Sequence, residues 1–111
     1  MRVGEIAKAM LPQADGSHKP RPVLLLKQMP PFQDWLVCGI STQLRQFVAN
    51  FDEMLDEEHP DYAMSGLVSP SIIRLGFLSV LPENRIQGII GNVSAVTYQR
   101  LISNLILYLQ T

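Results

Sequence analysis

The feature that most limits what this chain can fold into is the shortness of its early apolar runs. "VLLL" (23–26) and "WLVCGI" (35–40) are each too short for an amphipathic helix, and each is flanked by residues that break one. "LPQADGSHKP" stands before the first run and "QMPPFQD" between the two. A loosely alternating "VGEIAKAM" (3–10) precedes them. "GLVSPSIIRLGFLSVL" and "IQGIIGNV" read as later strands, with Ser69-Pro70 as a break or edge position and "PENR" as a turn. Short strands alternating with Pro/Gly-rich loops argue for a small antiparallel barrel or sandwich over a helical bundle. With 111 residues and 47% hydrophobic content, the chain is expected to form one domain over residues 1–111 with a real core.

Two segments break the strand pattern. Leu44, Phe47, Val48, Phe51, Met54 and Leu55 recur at helical spacing, which predicts an amphipathic helix of about four turns within residues 43–61. Ser41 and Thr42 stand where its N-cap belongs, and His59-Pro60 where it must stop. This predicted helix is acidic toward its C-terminus, against the macrodipole, so its placement is expected to depend on packing. Ser94 is a suitable N-cap for a closing helix over 94–109, with an apolar stripe of Tyr98, Leu101, Ile102, Leu105 and Tyr108.

Charge is unevenly spread. No Lys or Arg falls between Arg45 and Arg74, while Asp52, Glu53, Asp56, Glu57, Glu58 and Asp61 all do, so that stretch carries −6. The rest of the chain has nine basic and four acidic side chains, +5. The lone Cys38 excludes an intrachain disulfide and reads as a small buried hydrophobe. No zinc spacing exists, since His18 and His59 are far apart and Cys38 has no neighbouring ligand. Phosphate-loop, dinucleotide and nucleophile-elbow motifs are absent. No metal and no cofactor are therefore expected. There is neither an apolar run long enough to span a membrane nor a secretory leader, so a cytoplasmic, soluble protein is the expectation.

What remains for chemistry is a small polar set: His18, Lys19 and Arg21 before the second strand, Ser41 and Thr42 after the third, and Arg74 in a later one. Each has an ordinary reading, as a solvated loop residue, a helix cap or an exposed strand side chain. Arg21 differs in its setting, "KPRPVLLL". Pro20 and Pro22 each hold φ near about −65°, and Pro22 pushes Arg21 toward extended geometry. Little backbone entropy is lost when such a cation is aimed at a ligand.

The order of these pieces resembles the MazF/PemK family of toxin endoribonucleases. Gly4-Glu5-Ile6, the loop containing Gly16, and Arg21-Pro22 are similar to that family's opening. "LVCGISTQ" is similar to its next element, an apolar strand ending in Thr or Ser with a nearby Gln. "SIIRLGFLSVLPENRIQGIIGNVSAVTYQRLISNLILYL" is similar to its C-terminal half. The likeness runs in order along nearly the whole chain, apart from the segment around 43–61.

The resemblance implies a mainly β (α+β) fold, an SH3-like small barrel of about five to seven strands with an inserted helix and a C-terminal helix. It also implies a homodimer, a cognate antitoxin, and metal-independent cleavage of single-stranded RNA. Such cleavage needs a base for the 2′-hydroxyl, a donor for the leaving 5′-oxygen and fixed positive charge on the phosphorane. The resemblance assigns the charge to Arg21, phosphate contacts to Ser41 or Thr42, and RNA binding to Lys19 and Arg74. In the PemK branch an Asp, proposed as the base, follows the later arginine by two residues, commonly with Gln after it. Here Gly76 and Phe77 stand at those positions. His18, where that branch has a histidine, becomes the candidate base. The absent carboxylate keeps a second expectation open: a catalytically degenerate PemK-like domain that acts by binding. The CcdB-like toxins, which share the barrel and bind gyrase through a C-terminal Trp-Gly-Ile, are disfavoured by the ending "YLQT".

Overall fold

A computed structural model describes residues 1–12 and 18–111, with Pro12 and His18 described by their backbone alone. Among the described residues, six strands form one antiparallel sheet: β1 (Glu5–Pro12), β2 (His18–Met29), β3 (Asp34–Ser41), β4 (Glu53–Leu55), β5 (Ser71–Leu81) and β6 (Ile86–Asn92). Their order across the sheet is β4-β5-β3-β2-β1-β6. Two helices accompany it, α1 (Tyr62–Ser65) and α2 (Ala95–Leu109). The mainly β architecture with a closing helix is the one expected from the sequence.

The side-chain period of two divides the strands between two cores. Ile6, Leu24, Leu26, Cys38, Ile40, Ile73 and Leu75 face one way and join Leu55 with Leu101 and Leu105 of α2. Ala7, Ala9, Leu11, Val23, Leu25, Trp35, Val37 and Leu81 face the other way and are buried together, with no helix residue in the cluster among the described residues. The second cluster draws its buried members from β1, β2, β3 and β5, with Ile86 of β6 packed against them. Each fully buried Leu or Ile contributes about 1.5–3 kcal/mol, so both faces stabilise the fold. Burial pushes the Cys38 thiol far above its ordinary range, and the Asp52 carboxylate adds to this. Cys38 is a packing residue.

β2 is central, yet it contains Pro20 and Pro22. The β2–β1 ladder runs out to Pro12↔His18, but the β2–β3 ladder ends at Val23↔Gly39. The prolines, which lack an N–H, therefore fall where β3 no longer pairs with β2. They end that ladder and leave the sheet open beside Arg21.

Residues 43–61 do not form the expected helix. A single 3₁₀ turn spans Leu44–Gln46, and a tight turn follows with Asn50 at φ +64°. β4 then pairs Glu53↔Ile73, Met54↔Ile72 and Leu55↔Ser71. Only Leu55 of the six apolar residues is fully buried; Leu44, Phe47 and Val48 are exposed. The periodicity had no Gly or Pro to contradict it, but tertiary contacts override it in two ways. The edge of β5 needs a partner for its backbone, which β4 supplies. The buried Asp52 carboxylate also holds the turn: Oδ2 accepts from Val48 N–H (3.0 Å) and Oδ1 from Leu75 N–H (3.1 Å). Ser41 and Thr42 accordingly cap no α-helix. Ser41 Oγ accepts from Gln43 N–H at 3.0 Å and closes a local turn. His59-Pro60 lies in a turn before α1.

α2 begins as the sequence predicts, with Ser94 Oγ accepting from Thr97 N–H (3.3 Å). Its outer turn departs from the expected stripe, because Tyr108 and Leu109 are exposed. Polar contacts tie it to the rest. Tyr98 Oη donates to Leu26 O (2.6 Å), Asn104 Nδ2 to Phe51 O (3.2 Å), and Arg100 forks onto Glu53 (3.0 and 2.7 Å). His59 Nδ1 accepts from Asp61 N–H (3.0 Å), so Nε2 carries the ring proton toward Glu53 (2.8 Å). Asp61 Oδ2 accepts from both Ser94 N–H and Ser94 Oγ at 2.9 Å. Glycine matters at one contact of α1. Gly66, at φ +74°, and Gly91 bring α1 and β6 backbones together where a Cβ at either position would collide with main chain.

Two outcomes follow from these bonds. Asp52→Ala leaves the buried Leu75 N–H unpaired and should lower stability by about 1–3 kcal/mol in denaturant titration; an unchanged unfolding midpoint would contradict this role. Burial opposes ionisation of Glu53, but hydrogen bonds from Arg100 and His59 overcome it and hold its carboxyl below the ordinary range. For Asp61, burial is likewise outweighed by hydrogen bonds from Thr97 and Ser94. Depressed carboxyl groups stabilise the fold above their unfolded values, about pH 4, and that contribution is lost as pH falls through the lower folded values. Thermal melts between pH 7 and 2 should show a decline below about pH 4 that is shallower in Asp61→Asn.

Candidate functional site

The polar set converges at one end of the second core. Arg21 shares strand parity with Val23 and Leu25, and Gly39 and Ser41 share it with Trp35 and Val37. Gly39 pairs with Val23 on one side and with Arg74 on the other. Continuing the β2–β3 register by two residues brings Arg21 opposite Ser41, where the prolines have stopped the ladder. An open pocket of about 270 Å³ lies there. Arg21, Ser41, Thr42 and Arg74 all line it, with Leu11 joining it to the core below.

A bulge in β5 sets the far wall. Arg74 pairs with Gly39 and Leu78 pairs with the preceding Cys38, so Leu75, Gly76 and Phe77 are crowded against one step of β3. Bulges re-aim side chains and take backbone groups out of the ladder. Here the Leu75 N–H goes to Asp52, and Phe77 is thrown across Gly39, where any Cβ would meet its ring. The Arg74 guanidinium lies over the Phe77 ring, 5.5 Å from its centroid. Gly76 is outside the pocket: a Cβ there would approach only the Phe51 ring, at 4.0 Å. A carboxylate at position 76 would therefore head away from Arg21 and Arg74.

Among the described residues, the charged side chains lining the pocket are Arg21 and Arg74. The acidic stretch is used elsewhere. Asp52 and Asp61 are buried in backbone contacts, Glu53 is paired, and Asp56 accepts from Glu58 N–H (3.0 Å). Two guanidinium groups with hydroxyls and amides suit an anion and not a cation. Among the described residues no three His, Cys, Asp or Glu side chains converge on a metal position.

Of the sequence-predicted residues, Lys19 is exposed on β2, opposite Leu11, and does not line the pocket. His18 opens β2 three residues before Arg21, and its side chain lies outside the described residues. Sequence reasoning missed Gln43, Gln46, Ser71 and the lining role of Phe77. Gln46 Oε1 accepts from Ser41 Oγ at 3.4 Å, and Gln43 Oε1 from Arg45 Nη1 at 2.9 Å. Gln43 enters the sequence reading only as the glutamine that closes "LVCGISTQ", Gln46 belongs to no motif, and Phe77 shows no periodic signal because the bulge resets the strand parity.

A family model for the PemK-like, MazF-like toxins of type II toxin-antitoxin systems matches residues 2–109. No curated protein matches the sequence. Among solved structures, the Mycobacterium tuberculosis toxin MazF-mt6 superposes with a TM-score of 0.71 at 24% identity, over 96% of this chain and 96% of that one. That likeness speaks for the fold, and none of the described helices is long and apolar enough to cross a membrane. With the family model spanning nearly the whole chain, the protein belongs to the PemK-like, MazF-like toxins of type II toxin-antitoxin systems.

Proposed function

We propose that this toxin cleaves single-stranded RNA without a metal, at the Arg21–Arg74 pocket. The observation that supports this most is the convergence of two arginines and the Ser41 hydroxyl in one open pocket. The 2′-oxygen attacks the adjacent phosphorus, the P–O5′ bond breaks, and a 2′,3′-cyclic phosphate and a 5′-hydroxyl result. One proton leaves the 2′-hydroxyl for a base and one is delivered to the 5′-oxygen. Arg21 and Arg74 offset the charge on the phosphorane oxygens, a role guanidinium fills because it stays charged and forks onto phosphate. Ser41 or Thr42 donates to a non-bridging oxygen. His18 is the proposed base, and Lys19 lies beside the path of the RNA backbone. The toxin works in the cytoplasm as a homodimer, and its antitoxin covers the pocket.

A second reading is favoured by one specific observation: no carboxylate or imidazole is among the described residues lining the pocket. In that reading the chain binds RNA or a partner protein without chemistry.

The deciding assay incubates purified protein with long single-stranded RNA in EDTA, beside Arg21→Ala. Discrete cleavage that survives EDTA and drops by on the order of 100-fold in the variant is expected. Equal degradation by both proteins would sink the enzyme reading, and tight binding without cleavage would favour the second. Gly76→Asp should fold and cleave much as the parent does, because position 76 faces Phe51. A gain of about tenfold, or ~1.4 kcal/mol of barrier, would show instead that a carboxylate at position 76 reaches the phosphate.

A further inference from the structure

Phe77 is 41% exposed and belongs to neither buried cluster. Core packing gives no reason to hold a large ring at that place. The chain nevertheless arranges three local features around it. The β5 bulge turns it toward β3, Gly39 leaves bare backbone for it to lie on, and the Arg74 guanidinium carbon lies over it, 5.5 Å from the ring centroid. Its neighbours around the pocket are Arg21, Ser41, Gln43 and Gln46. An aromatic ring capped by a guanidinium, beside a second cation, offers a π surface next to a phosphate position. A nucleobase attached to that phosphate suits this chemistry, because bases stack on aromatic rings and on arginine planes.

We propose that Phe77 and Arg74 form a nucleobase subsite, which holds one base adjoining the scissile phosphate by stacking. The identity of the substrate rests on the RNA-cleavage reading, but stacking is tested without any cleavage. The ring fixes where the nucleotide lies, so Phe77 acts on binding and register, while Arg21 acts on the phosphate. An acidic or aromatic peptide from a partner protein is the competing occupant. The base is favoured because the ring and both cations share one small pocket.

The test uses a single-stranded 2′-O-methyl RNA, which has no attacking hydroxyl, and a set of the same oligonucleotides with one base removed at each position in turn. The parent protein should lose about tenfold in affinity at one abasic position. Phe77→Ala should bind the intact oligonucleotide about tenfold more weakly and be indifferent to that same abasic position. Its salt dependence should keep the parent slope, because no phosphate contact is lost, whereas Arg21→Ala should reduce the slope by about one. Phe77→Leu still covers Gly39 but has no π face, so it should behave as Phe77→Ala does. Phe77→Trp should retain binding. Thermal unfolding of each variant separates misfolding from lost stacking. Parental affinity in a folded Phe77→Ala or Phe77→Leu overturns the subsite, even where the EDTA assay upholds cleavage. A change confined to oligomeric mass or antitoxin capture overturns it as well.

Discussion

The hydrogen bond from the Leu75 N–H to Asp52 joins two parts of the chain that nothing local would bring together. Leu75 sits in the β5 bulge, where the ladder with β3 slips and a buried backbone donor loses its strand partner. Left unpaired, that donor would disfavour the bulge. The carboxylate of Asp52 accepts it, and the same side chain holds the turn at Val48. One interaction thus permits the bulge and sets the course of residues 48–52. Both walls of the pocket depend on it: Arg74 and Phe77 on β5, and the 3₁₀ turn that carries Gln43 and Gln46.

The opposite wall is governed by missing donors. Pro20 and Pro22 cannot donate to β3, and the β2–β3 ladder ends at Val23↔Gly39. The sheet opens where Arg21 stands, with its backbone still held by β1 through Ala9↔Arg21. A cation on paired backbone at the edge of an opening is rigidly placed without being buried. The bulge on one side and the terminated ladder on the other make a concave polar end on an otherwise apolar barrel interior.

The acidic stretch shows how little a charge count says about placement. By sequence its six carboxylates all fall within one predicted acidic helical segment. The structure distributes them among backbone donors, an Arg–His cluster and an outer turn, and none faces the pocket.

Much of the fold was legible from residue order. Short apolar runs bounded by Pro and Gly marked β1, β2, β3, β5 and β6, because their termini are decided by turn residues a few positions away. Ser94 marked the start of α2, because an N-cap bonds within its own turn. Arg21, Ser41 and Arg74 were legible as candidates only through their order along the chain. Residues 43–61 failed for a physical reason. Helical periodicity is a local signal, while the need of the β5 edge for a partner and of Leu75 for an acceptor arises only once distant strands are paired. The same holds for Phe77, whose direction is set by a slip in register against Gly39. By itself the sequence determined the alternation of short strands with turns, the start of the closing helix, and a stiff arginine between two prolines. The structure extends β2 back to His18, so His18, Lys19 and Arg21, expected before that strand, lie within it. Only the tertiary structure decided that this arginine meets Arg74 and an exposed ring, because that meeting depends on cross-strand register and one buried carboxylate.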